Sequence, residues 1–237
     1  MELKEGVLVA LLADHEEENL RVLIPKIREA MDAVGTAYEI EVIDTAKPTD
    51  GTQKLCLEWG IRYYNQEEPG FGGAFRTAIK YADHELFLIL DGDGSHDPRY
   101  IPSMYKKFRE DRCDLVIGSR YVKGGKTCDS KSSVVMSRIL NGVYRPFLGI
   151  KARDISTDYR LYDAAQLKQV HLENVYFDVL QEVLLKLKLN NPDFKIGEVP
   201  ITFEKRMYGE SKRDLIPFIL SYMRTLAKLT AMRVTHR

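Results

Sequence analysis

The sequence predicts an α/β fold in which a mostly parallel sheet is flanked by helices. Three observations carry this prediction. Short apolar runs alternate with helix-length amphipathic stretches through the first half of the chain. The strand candidates are continuously apolar, as strands buried on both faces are. Several of them end in a carboxylate or a glycine-bearing turn, at the carboxyl edge where open α/β sheets place their ligands. With 237 residues, the chain can build an ample core for one large domain, or for a domain with an appendage.

The elements follow in order. Residues 7–13 are apolar and predict a first strand, leading through an acidic stretch into a helix over 19–33. Pro25 lies inside that helix and either kinks it or moves its start later. Residues 38–43 predict a second strand that ends in Asp44 and a turn-rich 47–52. A helix through Leu57, a short strand over 61–64 and a helix over 74–82, opened by Gly70-Phe71-Gly72-Gly73, come next. The apolar residues 87–90 make a buried strand closing on Asp91, followed by a helix around 101–108 and a strand from 114 into Gly118-Ser119-Arg120. Residues 123–131 are polar and read as a mobile loop. Helices are predicted over 134–148 and 175–189, and a late strand over 196–203. Finally, Leu215, Ile216, Ile219, Tyr222, Met223, Leu226 and Leu229 recur every three or four residues, which predicts an amphipathic helix with its basic residues off the apolar face. The organisation is thus a domain over 1–212 and a basic C-terminal helix over 213–237.

Composition narrows the function classes. Acidic and basic residues balance at 35 each, so no overall field favours nucleic acid. From Ser211 onward the balance tips, with Lys212, Arg213, Arg224, Lys228, Arg233 and Arg237 against Asp214 alone. Cys56, Cys113 and Cys128 are odd in number and lack metal-site spacing, which fits free thiols in a reducing compartment. The N-terminus lacks the pattern of a signal peptide, and no segment reaches the ~18 apolar residues of a bilayer span. These features predict a cytoplasmic protein.

The most informative stretch is Phe87-Leu88-Ile89-Leu90-Asp91-Gly92-Asp93-Gly94-Ser95-His96-Asp97-Pro98. Asp91 and Asp93 stand one residue apart at a strand end, and two hard oxygen donors there suit Mg2+ or Mn2+, with substrate phosphates completing the shell. The plainer reading is an acidic turn in which Asp97 or Ser95 caps the helix near Pro98.

Longer motifs decide between these readings. Beside 90–98 stand Ile117-Gly118-Ser119-Arg120-Tyr121-Val122-Lys123-Gly124-Gly125, Asp154-Ile155-Ser156-Thr157-Asp158-Tyr159-Arg160-Leu161-Tyr162, and Ile196-Gly197-Glu198-Val199-Pro200-Ile201-Thr202-Phe203 running on to Arg206-Met207-Tyr208-Gly209-Glu210-Ser211-Lys212. With these the chain resembles family 2 glycosyltransferases of GT-A fold, specifically the polyprenyl-phosphate (dolichyl-phosphate) mannosyltransferases. The resemblance implies a nucleotide-diphosphate sugar donor, a polyprenyl-phosphate lipid acceptor, a cation on Asp91 and Asp93, Arg206 on the diphosphate and Arg120 on the acceptor phosphate. It implies an acidic contact to the nucleotide at Asp44, close approach of backbone to ligand at Gly70 and Gly72 (otherwise simply a loop and helix start), substrate contacts at Ser95 and Lys212, and a glutamate near the site at Glu182, which could instead be a solvated helix charge.

Two segments depart from the family pattern. Where members show Pro-Thr-Tyr-Asn-Glu, this chain has Leu12-Ala13-Asp14-His15-Glu16, keeping Glu16 and Asn19. Asp14 and Glu16 therefore fall where the base is held, and Asp44-Thr45-Ala46-Lys47 replaces the usual paired aspartates. These changes leave the base of the donor open. A basic acceptor-side position is Ser133 here, with Lys131 or Arg138 as substitutes. The C-terminal helix has two readings: it lies on an anionic membrane surface, making the enzyme peripheral, or it packs on the core, on a second copy or on a membrane-protein partner. The functional alternatives are transfer to a soluble or glycan acceptor, and a non-catalytic nucleotide-sugar-binding subunit.

Overall fold

The computed structural model describes residues 3–208 and 215–235. Along the chain it forms β1 (Lys4–Leu12), α1 (Glu17–Val34), β2 (Tyr38–Asp44), α2 (Thr52–Glu58), β3 (Arg62–Asn65), α3 (Gly70–Tyr81), β4 (His84–Asp91), α4 (Ile101–Glu110), β5 (Leu115–Ser119), β6 (Lys126–Thr127), α5 (Lys131–Leu148), β7 (Arg160–Asp163), α6 (Ala164–Leu167), α7 (Val179–Asn190), β8 (Ile196–Pro200), β9 (Thr202–Phe203) and α8 (Leu215–Thr235). Seven strands make one sheet in the order β3-β2-β1-β4-β7-β5-β8, parallel except for β7, which runs antiparallel to both neighbours. This is the mostly parallel sheet expected of a GT-A domain.

Strand β1 shows why the sheet is buried on both sides. Its side chains alternate across the sheet. Leu8, Ala10 and Leu12 enter one core with Phe75 of α3 and Val183 of α7, while Val7, Val9 and Leu11 enter the other with Leu23 of α1 and Met104 of α4. A continuous apolar run is therefore required, and the strand ends at Leu12 beside Asp91 of β4. Helix α1 accommodates Pro25 without breaking and stops at Gly35, whose φ of 72° gives the left-handed cap.

Several expectations need correction. The polar stretch 123–131 is not free: its Lys126–Thr127 pairs with Thr202–Phe203 as a second, two-stranded sheet. The late strand accordingly splits at Ile201, whose N–H donates to the Ser119 carbonyl at 3.1 Å as the chain passes from the main sheet to the small one. Helix α7 begins at Val179, four residues after the predicted start, because Asn174 and Val175 are used to pack against α3.

The C-terminal helix also differs from the membrane reading. Tyr222 and Leu229 are buried in the core, and Leu226 and Met232 pack against it. Ser221 and Thr225 donate to Asp178 Oδ2 at 2.7 and 2.5 Å. Lys228 pairs with Glu173, and Arg233 Nη1 donates to the carbonyls of Pro146 and Phe147 at 3.0 and 2.5 Å. From Tyr222 onward the apolar stripe therefore closes the core against α5 and α7. Among the described residues, no helix is long and apolar enough to cross a membrane.

Candidate active site

The site lies along the carboxyl edge of the sheet and has an acidic and a basic half. The acidic half grows from the end of β4. Gly92 N–H donates to the Leu12 carbonyl at 3.0 Å, which turns the chain back over β1 and leaves Asp91 and Asp93 at the edge. Gly94, at φ +79°, completes the turn, and a Cβ there would strike the Met207 side chain. Residues 204–208 lie across this turn: Glu204 N–H donates to the Ser95 carbonyl at 2.9 Å and Met207 N–H to the Asp93 carbonyl at 3.1 Å.

That crossing segment delivers Arg206. Its Nε donates to Asp93 Oδ2 at 3.1 Å, and its Nη1 stands 3.5 Å from Glu16 Oε1. Glu16 also accepts from the Asn19 side chain, and Asn19 in turn accepts from the Tyr208 N–H at 3.1 Å. Burial pushes the Glu16 carboxyl up to about 7, against the pull of Asn19 and Arg206. Burial pushes on Asp93 as well, but hydrogen bonds from Ser95 and the Arg206 charge hold it below its usual value.

Asp91 also meets a buried pair from elsewhere in the chain. A ligand atom of Asp91, one of His96 and one of Asp158 all lie within 4.8 Å of one another. The His96 ring is fully buried, and its Nδ1 accepts the Asp91 N–H at 3.3 Å. A neutral ring then carries its proton on Nε2, beside Thr157 Oγ1 at 3.3 Å and Asp158 at 3.8 Å. Burial lowers the His96 pKa, consistent with a neutral structural ring. Burial raises Asp91 well above the usual carboxylate range, and the neighbouring charge of Asp158 adds to it. Asp91 and Asp158, with Asp93 two residues further along the turn, supply hard oxygen donors of the kind that suit a divalent cation.

The basic half begins at Arg120, directly after β5. Its Nε and Nη2 form a two-pronged pair with buried Asp154 at 2.7 and 2.9 Å, so the guanidinium is held in place. It lines an open cavity of about 640 Å3, together with Arg138, Asn141 and Arg145 on one flank of α5 and Arg153 from the following loop. The Arg138 guanidinium lies 5.7 Å from the Tyr121 ring centre. Arg145 Nε is buried without a hydrogen-bond partner among the described residues. Sequence reasoning missed Arg145, Arg153, Asp154 and Asp158 as functional positions, although the last two stand inside a quoted motif.

The other expected residues are spread around these halves. Asp14 is exposed beyond β1 and meets His15 Nδ1 at 2.5 Å. Asp44 is buried at the end of β2, accepting from Thr45 N–H at 2.7 Å and the Tyr63 hydroxyl at 3.0 Å. Burial raises its carboxyl despite both bonds. Ser95 is buried within the turn itself. Gly70 and Gly72 do permit a close approach, but to the chain's own backbone: a Cβ at Gly72 would lie 1.9 Å from the Asn174 carbonyl oxygen. Lys131 is exposed at the start of α5, away from the residues that line the cavity. Glu182 is fully buried, accepts from the N–H groups of Glu173 and Asn174 and pairs with Lys186 at 2.7 Å. It holds the loop before α7 rather than being a solvated charge. Lys212 lies outside the described residues.

Comparison with known proteins bears on the family and the fold. Residues 11–170 match the family model for glycosyl transferase family 2. A dolichol-phosphate mannosyltransferase of Pyrococcus furiosus is 31% identical over 221 residues, covering 87% of this chain and 58% of that protein. The chain thus spans under two thirds of that relative. An undecaprenyl-phosphate mannosyltransferase of Micrococcus luteus is 30% identical over 217 residues, covering 87% of this chain and 86% of the relative. Among solved structures, glucosyl-3-phosphoglycerate synthase of Mycobacterium tuberculosis, in complex with Mn2+ and UDP-glucose, superposes with a TM-score of 0.70 at 18% identity, covering 95% of this chain and 78% of that one. At that identity the match speaks for the fold. By sequence, the chain belongs to glycosyl transferase family 2 and resembles its polyprenyl-phosphate mannosyltransferases.

Proposed function

We propose that the protein is a metal-dependent, inverting hexosyltransferase that moves mannose or glucose from a nucleotide-diphosphate sugar to a polyprenyl-phosphate-like acceptor at a membrane surface. The observation that carries this reading is the side-by-side placement of the Asp91/Asp93/Arg206 cleft and the arginine-lined cavity on one sheet edge. Asp91 and Asp93 would hold Mg2+ or Mn2+, which would offset charge growing on the leaving diphosphate. Arg206, always charged and shaped for two-pronged phosphate contact, is placed to follow that diphosphate. Arg120, fixed by Asp154, and Arg138 would hold the acceptor phosphate. That phosphate is already anionic, so no strong base is needed and the protein's task is alignment of two mutually repelling reactants. The acceptor oxygen bonds to the anomeric carbon as the bond to the diphosphate oxygen breaks, and the diphosphate leaves with the electron pair. One such displacement inverts the carbon.

Support for a lipid rather than a soluble acceptor comes from α5, not from α8 where the sequence pointed. Val135, Ile139, Val143 and Phe147 recur every fourth residue along α5 and are 56, 57, 38 and 51% exposed. This apolar stripe runs beside Arg138 and Arg145 at the cavity wall, a pairing suited to an anionic membrane surface and a peripheral, cytoplasmic-side location. The test is a screen of labelled GDP-mannose, UDP-glucose and other nucleotide sugars against polyprenyl phosphate in vesicles. Chelator-sensitive transfer is expected with one donor. Absence of transfer from every donor overturns the enzymatic reading, and equal transfer to soluble acceptors overturns the lipid one.

A further inference from the structure

We propose that Asp158 is a third carboxylate ligand of the cation site, completing with Asp91 and Asp93 a set drawn from the end of β4 and the segment that leads into β7. The inference rests on the metal-dependent reading above and adds to it a residue outside the Asp-Gly-Asp turn.

β7 runs antiparallel to β4, pairing Leu88 with Leu161 and Ile89 with Arg160. Continuing that register by two residues places Asp158 directly opposite Asp91. Opposed residues on an antiparallel pair have Cβ atoms about 4.5–5.5 Å apart, and like charges in such pairs oppose each other. Carboxylate oxygens of Asp91 and Asp158 indeed lie within 4.8 Å of one another. Asp158 is 4% exposed, and its Oδ2 has no hydrogen-bond partner among the described residues. Two buried carboxylates this close call for either a shared proton or a cation between them.

The surroundings hold Asp158 in place for this role. Fully buried Arg160 donates to the carbonyls of Thr157 at 2.7 Å, Ile155 at 2.8 Å and Leu180 at 2.9 Å, so the turn carrying Asp158 is pinned from within. The His96 ring stands behind it with Nε2 3.8 Å from Asp158 Oδ1. Outer partners that orient a ligand in this manner are a common feature of metal sites. The competing explanation is a structural pair that shares a proton and never meets a metal.

Mn2+ binding to the full chain, followed by electron paramagnetic resonance with and without GDP or UDP, separates the two. Asp158→Asn keeps the size of the side chain and can donate to Asp91, so a proton-sharing pair predicts unchanged Mn2+ affinity. A ligand predicts a loss of about tenfold or more. Asp158→Cys supplies a second readout: a ligand shifts preference from Mn2+ towards the softer Cd2+ by about tenfold, whereas a structural residue leaves it unmoved. Should both variants misfold by circular dichroism, the anomalous Mn2+ peak in crystals of the wild type decides. It is expected within about 2.5 Å of an Asp158 oxygen, and a longer distance overturns the assignment. Asp93→Ala is the control. If that variant loses Mn2+ while Asp158→Asn keeps it, the inference alone fails; if the wild type binds no Mn2+ under any condition, the metal-dependent reading fails with it.

Discussion

The two halves of the sheet edge carry opposite charge and solve opposite problems. Around the end of β4, Glu16, Asp91, Asp93 and Asp158 gather with Arg206 as a counter-charge among them. Around the end of β5, four arginines line one cavity, and among the described residues only Arg120 of these has a carboxylate partner within 4 Å. An acidic cleft cannot take a diphosphate unless a cation comes with it, whereas a basic cavity can take an anion directly. Under the proposed function, the two phosphate-bearing reactants would be distinguished by what must accompany them.

The largest expected effect breaks the acidic half. Asp93→Ala should lower transfer by about a thousandfold or more, because a group that stabilises developing charge is lost. Its melting temperature should stay within a few degrees of the wild type, and turnover retained near the wild-type rate refutes the assignment. On the basic side, the double variant Arg138→Ala/Arg145→Ala should raise KM for the acceptor about tenfold or more, each lost charge-assisted contact being worth roughly 1.5–3 kcal/mol. Calorimetry should show its Mn2+–nucleotide affinity unchanged; a fall there means the halves are not separate.

A smaller effect tests the lipid side. Ile139→Glu/Phe147→Glu should weaken sedimentation with anionic vesicles several-fold and spare transfer to a short-chain acceptor. Equal vesicle binding by variant and wild type removes α5 as the contact surface. The smallest effect is the pH dependence set by Glu16, whose carboxyl is raised by burial to about 7. A carboxyl raised in the folded state contributes stability below its unfolded value near 4.5, and that contribution is lost as pH climbs through about 7. Its anionic form, the one that attracts a cation, is populated above 7. Mn2+-dependent nucleotide binding should therefore strengthen a few-fold from pH 6 to 8, and Glu16→Gln should flatten the profile. Acceptor binding through arginines should show no such step of protein origin, since guanidinium groups stay charged throughout.

The sheet and the turn at its centre were legible in the residues because their signals are local. The apolar run of β4, the alternating burial of β1 and the Gly-Asp spacing after Leu90 each act within a few residues. Strand β7 was not legible: Arg160–Asp163 offers only four residues, one of them a buried arginine, and its place between β4 and β5 is decided by long-range pairing. Asp158 was missed with it, since its meeting with Asp91 exists only through that antiparallel register. Of the stripe read on α8, Tyr222, Leu226 and Leu229 pack on the core while Met223 is 65% exposed, and the choice between core and membrane stayed open because periodicity gives a face and says nothing about its partner. The exposed stripe on α5 was hidden for the same reason.

The two-stranded sheet of Lys126–Thr127 with Thr202–Phe203 has a mechanical consequence. One of its strands leads into the segment that lays Arg206 across the acidic turn, and the other follows Gly125 at the rim of the arginine cavity. A displacement of residues 204–208 would therefore be passed through this ribbon to the rim of the arginine-lined cavity. The small ribbon is thus a direct backbone link between the segment carrying Arg206 and the rim of the arginine-lined cavity.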